Sequence, residues 1–325
     1  MNSTEETYRK LIASAKEAAN LAYRPYSNYP VGAAVLTFDG NIYTGCNIEN
    51  CGYTQTIHAE QTAMSKAVSE GALAKAVTQG LTQLEFIKAV AVHAPKGTDP
   101  WPCCNCRQSL NEFGLQMEIV GEGTNGEILC ETLGQLIPHA FSMELVFASI
   151  HGDNWKSVIA ASMRTAPSVT PALNDGNEDD RRNLIEQAKR ASQLAYCPYS
   201  KYPVGAALRT FDGQIYTGCN IENCGYTQTI HAEQVALAKA ISEGALRRAT
   251  EAGRNHRDFI DTIAVYSPKS SEPWPSCNGR QSLSEFGLEM EVVGENKVGA
   301  IVSKKLSELI PYAFEQDLVL ASINE

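Results

Sequence analysis

The sequence predicts an α/β protein made of two tandem domains, each with a mixed β-sheet flanked by helices. Three observations support this fold class. The chain has 325 residues, which is enough for two domains of ordinary size. A long segment occurs twice with few changes. Within each copy, strand-like apolar runs alternate with helical patterns, which is typical of layered α/β domains.

The repeat extends over most of the chain at a constant offset of 173 residues. Residues 21–61 return as residues 194–234 with five differences, and the offset continues through SEGAL, PWP, RQSL and EFGL. A period this long predicts two whole domains rather than a solenoid. We place the domains at 1–150 and 181–325. Residues 151–180 are rich in Pro, Asn and acidic residues without periodicity, and we expect a linker there.

The elements of the first copy can be predicted in order. Ser3 and Glu6 have the spacing of a capping box, and an N-terminal helix with one apolar face follows them. VGAAVLTF and NIYTGCNIE predict two strands joined by a hairpin turn at Asp39-Gly40. HAEQTAMSKAVSEG predicts a helix that Gly71 ends.

Three further segments complete the predicted domain. FIKAVAVHA is almost continuously apolar, which predicts a central strand covered on both faces. CCNCRQSLNEF predicts a short helix ended by Gly114, and MEIVG predicts the strand that follows it. The SMELV and EQDLV segments, late in the two copies, predict packing helices.

Charge and hydropathy limit the classes of function. The formal net charge of −10 repels polyphosphate, which argues against a nucleic-acid partner. No apolar run reaches the roughly 18 residues that span a bilayer, so we expect no membrane partner. The N-terminal residues MNSTEETYRK lack the pattern of a secretion signal. We therefore expect a cytoplasmic protein whose ten cysteines are reduced.

Four residues with metal and acid–base chemistry lie at the starts of two predicted helices. His58 and Glu60 belong to the first of these helices, and Cys103 and Cys106 to the second. A helix N-terminus favours the thiolate form of cysteine. One imidazole and two thiolates suit Zn²⁺, and three protein ligands leave a position for water, as in catalytic zinc sites. Glu60 would then be free to move protons. A structural zinc, or no metal, is the alternative.

These motifs resemble those of a known enzyme family. His-x-Glu followed by Pro-Cys-x-x-Cys is the signature of the zinc deaminases. PYSNYPVGAA, GCNIEN, HAEQTA and PCCNCRQ stand in the order and approximate spacing of the zinc-dependent cytidine deaminases. The resemblance implies that family's three-layer fold in both copies. It also implies hydrolytic deamination of free cytidine and 2′-deoxycytidine to uridine and 2′-deoxyuridine, with release of ammonia, in pyrimidine salvage.

The resemblance also implies roles for individual residues. Asn47 and Glu49 would hydrogen-bond the ribose hydroxyls, and Tyr29 would pack at the sugar and base. A chain carbonyl near Trp101 would accept from the exocyclic amine. Zinc-bound hydroxide would attack C4 while Glu60 shuttles the protons. That Asn47 and Glu49 merely satisfy a turn is the alternative.

The residue after the catalytic glutamate separates two types within this family. Three thiolates on Zn²⁺ leave a charge of −1, which a neighbouring Arg can offset, whereas His with two thiolates leaves zero. Gln61 follows Glu60 here and agrees with His58, so the chain resembles the His-Cys-Cys type. Members of that type are two-domain chains that form homodimers. The resemblance therefore implies a homodimer with four domains arranged as a pseudo-tetramer.

The second copy lacks two of the three metal ligands. His231 and Glu233 remain, but Ser276 and Gly279 stand where the first copy has its cysteine ligands. A serine hydroxyl is a poor zinc ligand, and glycine has no side chain. We therefore expect one zinc per chain, in the first domain, and a degenerate second domain that is zinc-free and inactive.

Two alternatives concern what the second copy still does. A substitute metal site made of His231, Cys277 and Cys224 is conceivable. The second copy could also complete a catalytic pocket across an interface, through Tyr226 and Phe314, which keep the residue types of the first copy. The competing interpretation is a recent duplication in which these residues have not yet changed.

The remaining motifs favour structural roles or rival functions. We expect Arg107 and Gln108 to brace the metal-bearing loop, and the other cysteines to be small apolar or loop residues. One rival is a related deaminase that acts on a base in RNA or DNA, against which the GCNIEN segment and the acidic charge argue. The other is a non-enzymatic, zinc-stabilised assembly module, against which the open metal position and Glu60 argue.

Overall fold

Two five-stranded sheets, one in each half of the chain, form the framework of the structure. The computed structural model describes residues 3–95, 97, 100–144, 146, 177–270, 273–317 and 319. In each sheet, one of the four strand pairs is parallel and the other three are antiparallel. The predicted fold class, two tandem domains with mixed sheets and flanking helices, is confirmed.

The two domains repeat one order of elements. The first domain contains α1 Ser3–Ala19, β1 Gly32–Thr37, β2 Ile42–Cys46, α2 Ala59–Ser69, α3 Ala72–Thr78, β3 Ile87–His93, α4 Cys104–Asn111, β4 Glu118–Glu122, β5 Ile128–Thr132 and α5 Leu133–Leu136. The second contains α6 Asn177–Ser192, β6 Gly205–Thr210, β7 Ile215–Cys219, α7 Ala232–Ser242, α8 Ala245–Glu251, β8 Ile260–Tyr266, α9 Cys277–Ser284, β9 Glu291–Glu295, β10 Ile301–Lys305 and α10 Leu306–Leu309. The strand orders are β2-β1-β3-β4-β5 and β10-β9-β8-β6-β7.

Most predicted elements of the first copy lie where the sequence places them. The helix expected to end at Gly71 ends at Ser69, and Gly71 adopts a left-handed φ of 87° that separates α2 from α3. Helix α3, strand β5 and helix α5 are additional elements. Helix α6 begins at Asn177, inside the range 151–180 where we expect a linker, and residues 151–176 lie outside the described residues. None of the described helices has the length and apolarity needed to cross a membrane.

Each sheet is covered on both faces by helices. In the first domain, Leu11 and Ala15 of α1 pack on one face against Ala34 and Ala89 of the sheet. Helix α2 packs on the other face and is buried over almost its whole length. A side chain at Gly32 would collide with the backbone carbonyl of α1, so glycine lets the helix lie directly on the sheet. The result is a helix–sheet–helix arrangement of three layers in each domain.

The two domains meet through their buried helices α2 and α7. The hydrophobic cluster around α2 includes residues of the second domain, and the cluster around α7 includes residues of the first. Two reciprocal ion pairs cross the contact: Lys66 to Glu243 at 3.0 Å, and Lys239 to Glu70 at 3.5 Å. The segment of each domain that precedes its buried helix is therefore part of the hydrophobic core of the other domain.

A buried carboxylate from each domain also reaches into the other. Glu112, fully buried after α4, accepts hydrogen bonds from the hydroxyls of Tyr196 at 2.8 Å and Tyr199 at 2.7 Å, and from the N–H of Cys224 at 2.8 Å. Burial raises the pKa of Glu112. In the opposite direction, Glu285 of the second domain accepts hydrogen bonds from the hydroxyls of Tyr23 at 2.9 Å and Tyr26 at 2.7 Å, and from the N–H of Cys51 at 2.8 Å. These bonds fix the orientation of the two domains.

Candidate active site

The first domain brings its predicted acid–base residue to the N-terminus of α2. His58 is the residue that caps this helix, and it has an extended backbone with φ −78° and ψ 157°. Its N–H donates a hydrogen bond to the side-chain oxygen of Gln61 at 3.1 Å. Glu60 follows in the first turn and is only 4% exposed. The imidazole and the carboxyl group are thus held by a rigid helix end rather than by a mobile loop.

The two cysteines lie at the N-terminus of α4. Cys103 is the cap residue and Cys106 is fully buried in the first turn. The guanidinium of Arg107 donates to the carbonyl of Pro102 at 2.7 Å and to that of Leu136 at 2.5 Å. Gln108 donates to the carbonyl of Phe141 at 2.9 Å. The predicted bracing role of these two side chains is confirmed.

The ends of α2 and α4 meet and bring the three predicted metal ligands together. His58 Nδ1 lies 3.5 Å from Cys103 Sγ, and the ligand atoms of His58, Cys103 and Cys106 are all within 4.8 Å of one another. Ligand atoms on a tetrahedral zinc lie about 3–4 Å apart, given bonds of about 2.0–2.3 Å. In the part of the chain that the structure describes, this is the single such group of metal-binding side chains. The donor set and its spacing fit zinc.

Gln61 joins the two helices that carry these ligands. Its oxygen accepts from the His58 N–H, and its Nε2 donates to Ser109 Oγ on α4 at 3.0 Å. From the sequence alone, Gln61 indicates only that the site is of the His-Cys-Cys type and not of the three-cysteine type. Its position three residues after the helix cap is where a capping-box residue is expected, and that signal points to the contact with His58 but not to the contact with Ser109.

Protonation in the site follows from burial and from neighbouring sulfur atoms. The hydrogen bond with Cys106 lowers the pKa of Cys103 to about 3, and burial raises the pKa of Cys106 well above its usual range. The contact with Cys103 raises the pKa of His58. Burial raises the pKa of the Glu60 carboxyl. A thiolate beside an imidazole, with a second thiol next to it, is a pattern that attracts a soft cation.

A cavity of about 470 Å³ opens beside these residues. Seven of the eight residues predicted for metal, acid–base and substrate contacts in the first domain line it: Tyr29, Asn47, Glu49, His58, Glu60, Trp101 and Cys103. Cys106, the eighth, is fully buried and does not line it. The fold therefore places the polar GCNIEN segment and the metal ligands around one space of the size of a small-molecule site.

Asn47 and Glu49 are held by backbone hydrogen bonds that leave part of each side chain available. The Asn47 Oδ1 accepts from the Val31 N–H at 2.8 Å, and its Nδ2 donates to the Tyr29 carbonyl at 3.0 Å. Glu49 Oε2 accepts from two backbone N–H groups, at 2.9 and 3.1 Å, and Oε1 accepts from the Ser27 hydroxyl. One amide hydrogen of Asn47 and one lone pair of Glu49 Oε1 remain by this count.

The second domain has a different arrangement at the corresponding place. Ser276 Oγ lies 3.1 Å from His231 Nδ1 and accepts from the Gly279 N–H at 3.1 Å, which caps α9. A Cβ at Gly279 would lie 2.6 Å from Glu233 Oε1. The glutamate therefore takes up space that a cysteine at this position would need.

The residues of the alternative metal site lie in other environments. The thiol of Cys224 is buried against the first domain, where it donates to the carbonyl of Phe141 at 3.3 Å. Cys277 is exposed. Neither is grouped with His231 among the described residues that could hold a metal.

One segment of the second domain hydrogen-bonds to α4 of the first domain, the helix that carries the two cysteines. Asn223 Nδ2 donates to the carbonyl of Gln108 at 3.0 Å, and Gln228 Nε2 donates to Asn105 Oδ1 at 3.1 Å. Asn105 lies between the two cysteine ligands. Sequence reasoning missed this contact, because the CGYTQT segment occurs in both copies and nothing local shows which helix it touches.

The two aromatic residues predicted to contribute from the second copy are exposed within a single chain. Tyr226 is 64% exposed and Phe314 is 49% exposed, and neither is among the residues lining the cavity of the first domain. The Tyr226 ring packs on Tyr199 with a centroid separation of 5.9 Å. Their role across an interface between chains stays a prediction.

Comparison with known proteins agrees with the geometry. The family model described as "Cytidine and deoxycytidylate deaminase zinc-binding region" matches residues 5–122 and again 178–295. A cytidine deaminase of Sporosarcina psychrophila is 44% identical over 136 residues, 42% of this chain and 91% of that protein. A cytidine deaminase of Vibrio cholerae (O395) is 29% identical over 234 residues, which cover 70% of this chain but only 65% of that protein.

A solved structure, that of cytidine deaminase from Burkholderia pseudomallei, is also similar. It is 38% identical, with a TM-score of 0.34, and the match covers 41% of this chain and 98% of that one. The family model alone accounts for more than half of the chain, in two separate matches. The chain is therefore an enzyme of the cytidine and deoxycytidylate deaminase family, and the family model matches both of its domains.

Proposed function

We propose that this protein hydrolyses cytidine and 2′-deoxycytidine to uridine and 2′-deoxyuridine, with release of ammonia, at the site of the first domain. The observation that carries the proposal is the shared cavity, in which Glu60, His58 and Cys103 face the same space as Asn47 and Glu49. A reaction centre and a polar sugar-binding pair in one pocket suit a free nucleoside. The net charge of −10 supports a small substrate rather than RNA or DNA.

We propose one zinc per chain, held by His58, Cys103 and Cys106. When bound, zinc supplies Lewis acidity, which makes water acidic enough to serve as a nucleophile near neutral pH. The second domain would hold none, because Ser276 hydrogen-bonds directly to His231 and Glu233 occupies the space beside Gly279.

Glu60 would transfer the protons of the reaction. Its carboxyl group lines the cavity, and burial raises its pKa, so it can exchange protons at a pH nearer to neutral than an exposed glutamate. It would take a proton from the attacking water and deliver it to N3 of the pyrimidine as the C4–O bond forms. It would then carry the second proton to the amino group, so that the C4–N bond breaks and ammonia leaves.

Asn47 and Glu49 would orient the sugar. The free amide hydrogen of Asn47 can donate to a sugar hydroxyl, and the free lone pair of Glu49 Oε1 can accept from one. A 3′-hydroxyl, which acts as donor and acceptor, satisfies both groups and is present in both nucleosides. Tyr29 and Trp101 complete the wall of the cavity, where they would pack against the sugar and base.

The test is turnover of cytidine by the purified chain, measured as uridine and ammonia in equal amounts, together with zinc content. We expect turnover and one zinc per chain. Glu60→Gln should lower kcat about 10²- to 10⁴-fold while zinc content stays at one, since general acid–base catalysis contributes that much. Unchanged turnover in Glu60→Gln would contradict the proposed role, and a hairpin RNA deaminated as fast as cytidine would favour the rival class of substrate.

We further propose that the chain acts as a homodimer in the cytoplasm. Four large aromatic side chains at matching positions of the two copies are exposed in a single chain: Tyr53, Phe141, Tyr226 and Phe314. A partner chain would cover such residues, and Tyr226 and Phe314 would then approach the active site of the partner. All ten cysteines are free, which suits a reducing compartment.

Replacing Tyr226 or Phe314 by alanine tests the contribution across the interface. We expect a higher KM for cytidine in at least one of the two variants, with the dimer retained in sedimentation experiments. Unchanged catalysis in both variants would remove the idea. A chain that is monomeric and fully active would remove the homodimer as well.

A further inference from the structure

The second domain keeps a pocket where its metal site is lost. A cavity of about 420 Å³ lies beside Ser276 and His231, close in size to the cavity of about 470 Å³ in the first domain. Its wall contains Tyr202, Asn220 and Glu222, which correspond to Tyr29, Asn47 and Glu49 at the offset of 173 residues. Loss of the metal ligands has therefore not closed the pocket.

The polar pair of this second pocket is held as in the first domain. Asn220 Oδ1 accepts from the Val204 N–H at 2.8 Å, and its Nδ2 donates to the Tyr202 carbonyl at 3.0 Å. Glu222 Oε2 accepts from two backbone N–H groups at 2.9 and 3.1 Å, and Oε1 accepts from the Ser200 hydroxyl. The amide hydrogen and the carboxylate lone pair left over are thus the same as those of Asn47 and Glu49.

The other end of the cavity offers hydrogen-bonding groups in place of a metal. The Ser276 hydroxyl accepts from the Gly279 N–H and is bonded to His231 Nδ1 at 3.1 Å, which leaves it one further hydrogen bond, as donor or acceptor according to the His231 tautomer. Glu233 is also on the wall, and so is the indole-bearing residue Trp274. Donors and acceptors at this end suit the polar edge of a pyrimidine. The apolar part of the cavity wall suits the two faces of its ring.

We propose that the second-domain pocket binds a pyrimidine nucleoside and does not convert it. The proposal rests on the function proposed for the first pocket, from which the ligand class is taken. The sugar would be held by Asn220 and Glu222, and the base would extend toward Ser276. The chain would then have two nucleoside sites, one catalytic and one that only binds.

This second site is physically joined to the first domain. Asn220, Glu222 and Thr229 line the second cavity, whereas Asn223 and Gln228, from the same ten-residue segment, hydrogen-bond to the metal-bearing helix α4. A ligand held by Asn220 and Glu222 therefore lies against the segment that holds the first active site.

The test is the stoichiometry of uridine binding to the full chain, measured by equilibrium dialysis. Uridine is the probe because it is the product and is not consumed. We expect two uridine molecules per chain in the wild type. Tyr202→Ala should weaken one site at least tenfold, and the matched variant Tyr29→Ala should weaken the other. Tyr202 is 36% exposed, so its removal leaves the core intact.

A second variant guards against misfolding of the first. Ser276→Phe, at an exposed helix cap, fills the pocket and should also leave one uridine per chain. The proposal would be overturned if the wild-type chain bound one uridine, and if this binding were lost in Tyr29→Ala but retained in Tyr202→Ala and Ser276→Phe. Such a result would leave the proposed turnover of cytidine untouched. Two bound uridines without any turnover of cytidine would support this site and overturn the proposed function.

Discussion

Gln228 of the second domain donates a hydrogen bond to Asn105 of the first at 3.1 Å, and Asn105 lies between the two cysteines of the metal site. The equivalent bond in the opposite direction runs from Gln55 of the first domain to Asn278 of the second at 3.1 Å. Asn278 lies on α9, which lacks the two cysteines. The degenerate domain is thus a support for the helix that carries Cys103 and Cys106. The two bonds have the same chemistry but only one of them reaches the helix with both cysteines, and this makes them a matched pair for experiment.

We expect Gln228→Ala to lower kcat/KM for cytidine about two- to tenfold, because a hydrogen bond of this kind contributes about 0.5–1.5 kcal/mol. Zinc loss to a chelator should also become faster, since the first turn of α4, which carries the cysteines, is less firmly held. Gln55→Ala is the control, and it should change neither quantity. Equal effects in the two variants would show that the bond matters only for domain packing.

Restoring the two cysteines of the second domain should create a second metal site. The variant carrying Ser276→Cys and Gly279→Cys should bind two zinc ions per chain, since His231 is already in place. Glu233 must move to admit the second cysteine, but the obstacle is the end of a flexible side chain. Metal analysis of the purified protein decides this, with Cys277→Ser as the control that stays at one zinc. A double variant that also stays at one would show that the second site has lost more than its ligands.

Removing the buried carboxylate at the domain contact should destabilise the chain. In Glu112→Ala, the hydroxyls of Tyr196 and Tyr199 and the N–H of Cys224 lose the hydrogen bonds that they donate to this carboxyl group, at a cost of about 1–3 kcal/mol for each buried donor. We expect a loss of about 3–5 kcal/mol in the free energy of unfolding, measured in urea. Glu17→Ala, at an exposed position of α1, should change it by less than about 0.5 kcal/mol. A loss below about 1 kcal/mol in Glu112→Ala would contradict this account.

The same carboxyl should make stability depend on pH. Burial raises the pKa of Glu112 in the folded chain above its ordinary value of 4.5, so its protonated form is favoured by folding. Its contribution is therefore full below pH 4.5 and decreases as the pH rises through the folded-state pKa. The groups that face it are the Tyr196 and Tyr199 hydroxyls and Cys224.

Glu112→Gln removes this titration while it keeps a hydrogen-bonding side chain. We expect the unfolding free energy of the wild type, minus that of Glu112→Gln, to fall as the pH increases from 4.5 toward 8. Unfolding curves in urea at a series of pH values measure the difference. A difference that rises over this range would show that the charged form is the one favoured by folding.

Much of the fold and the site follows from local patterns. The spacing His58-x-Glu60 and Cys103-x-x-Cys106 places each pair within one helix turn, so the residues that meet at the site can be named from the sequence. The strands were predictable because their apolar runs are bounded by turn residues such as Asp39-Gly40. Strand β5 was missed, since only part of its surface is buried and its sequence ILCET lacks a strong pattern.

The sequence by itself determined the duplication, the candidate His-Cys-Cys set of the first domain and the absence of its two cysteines at Ser276 and Gly279, because each depends on residue identity and short spacing. Only the tertiary structure decided that Gln228 supports the helix of the cysteine ligands and that Glu112 joins the domains. These contacts link residues more than 80 positions apart. The copies share nearly the same local sequence, so only the packing of α2 against α7 determines which partner each side chain meets.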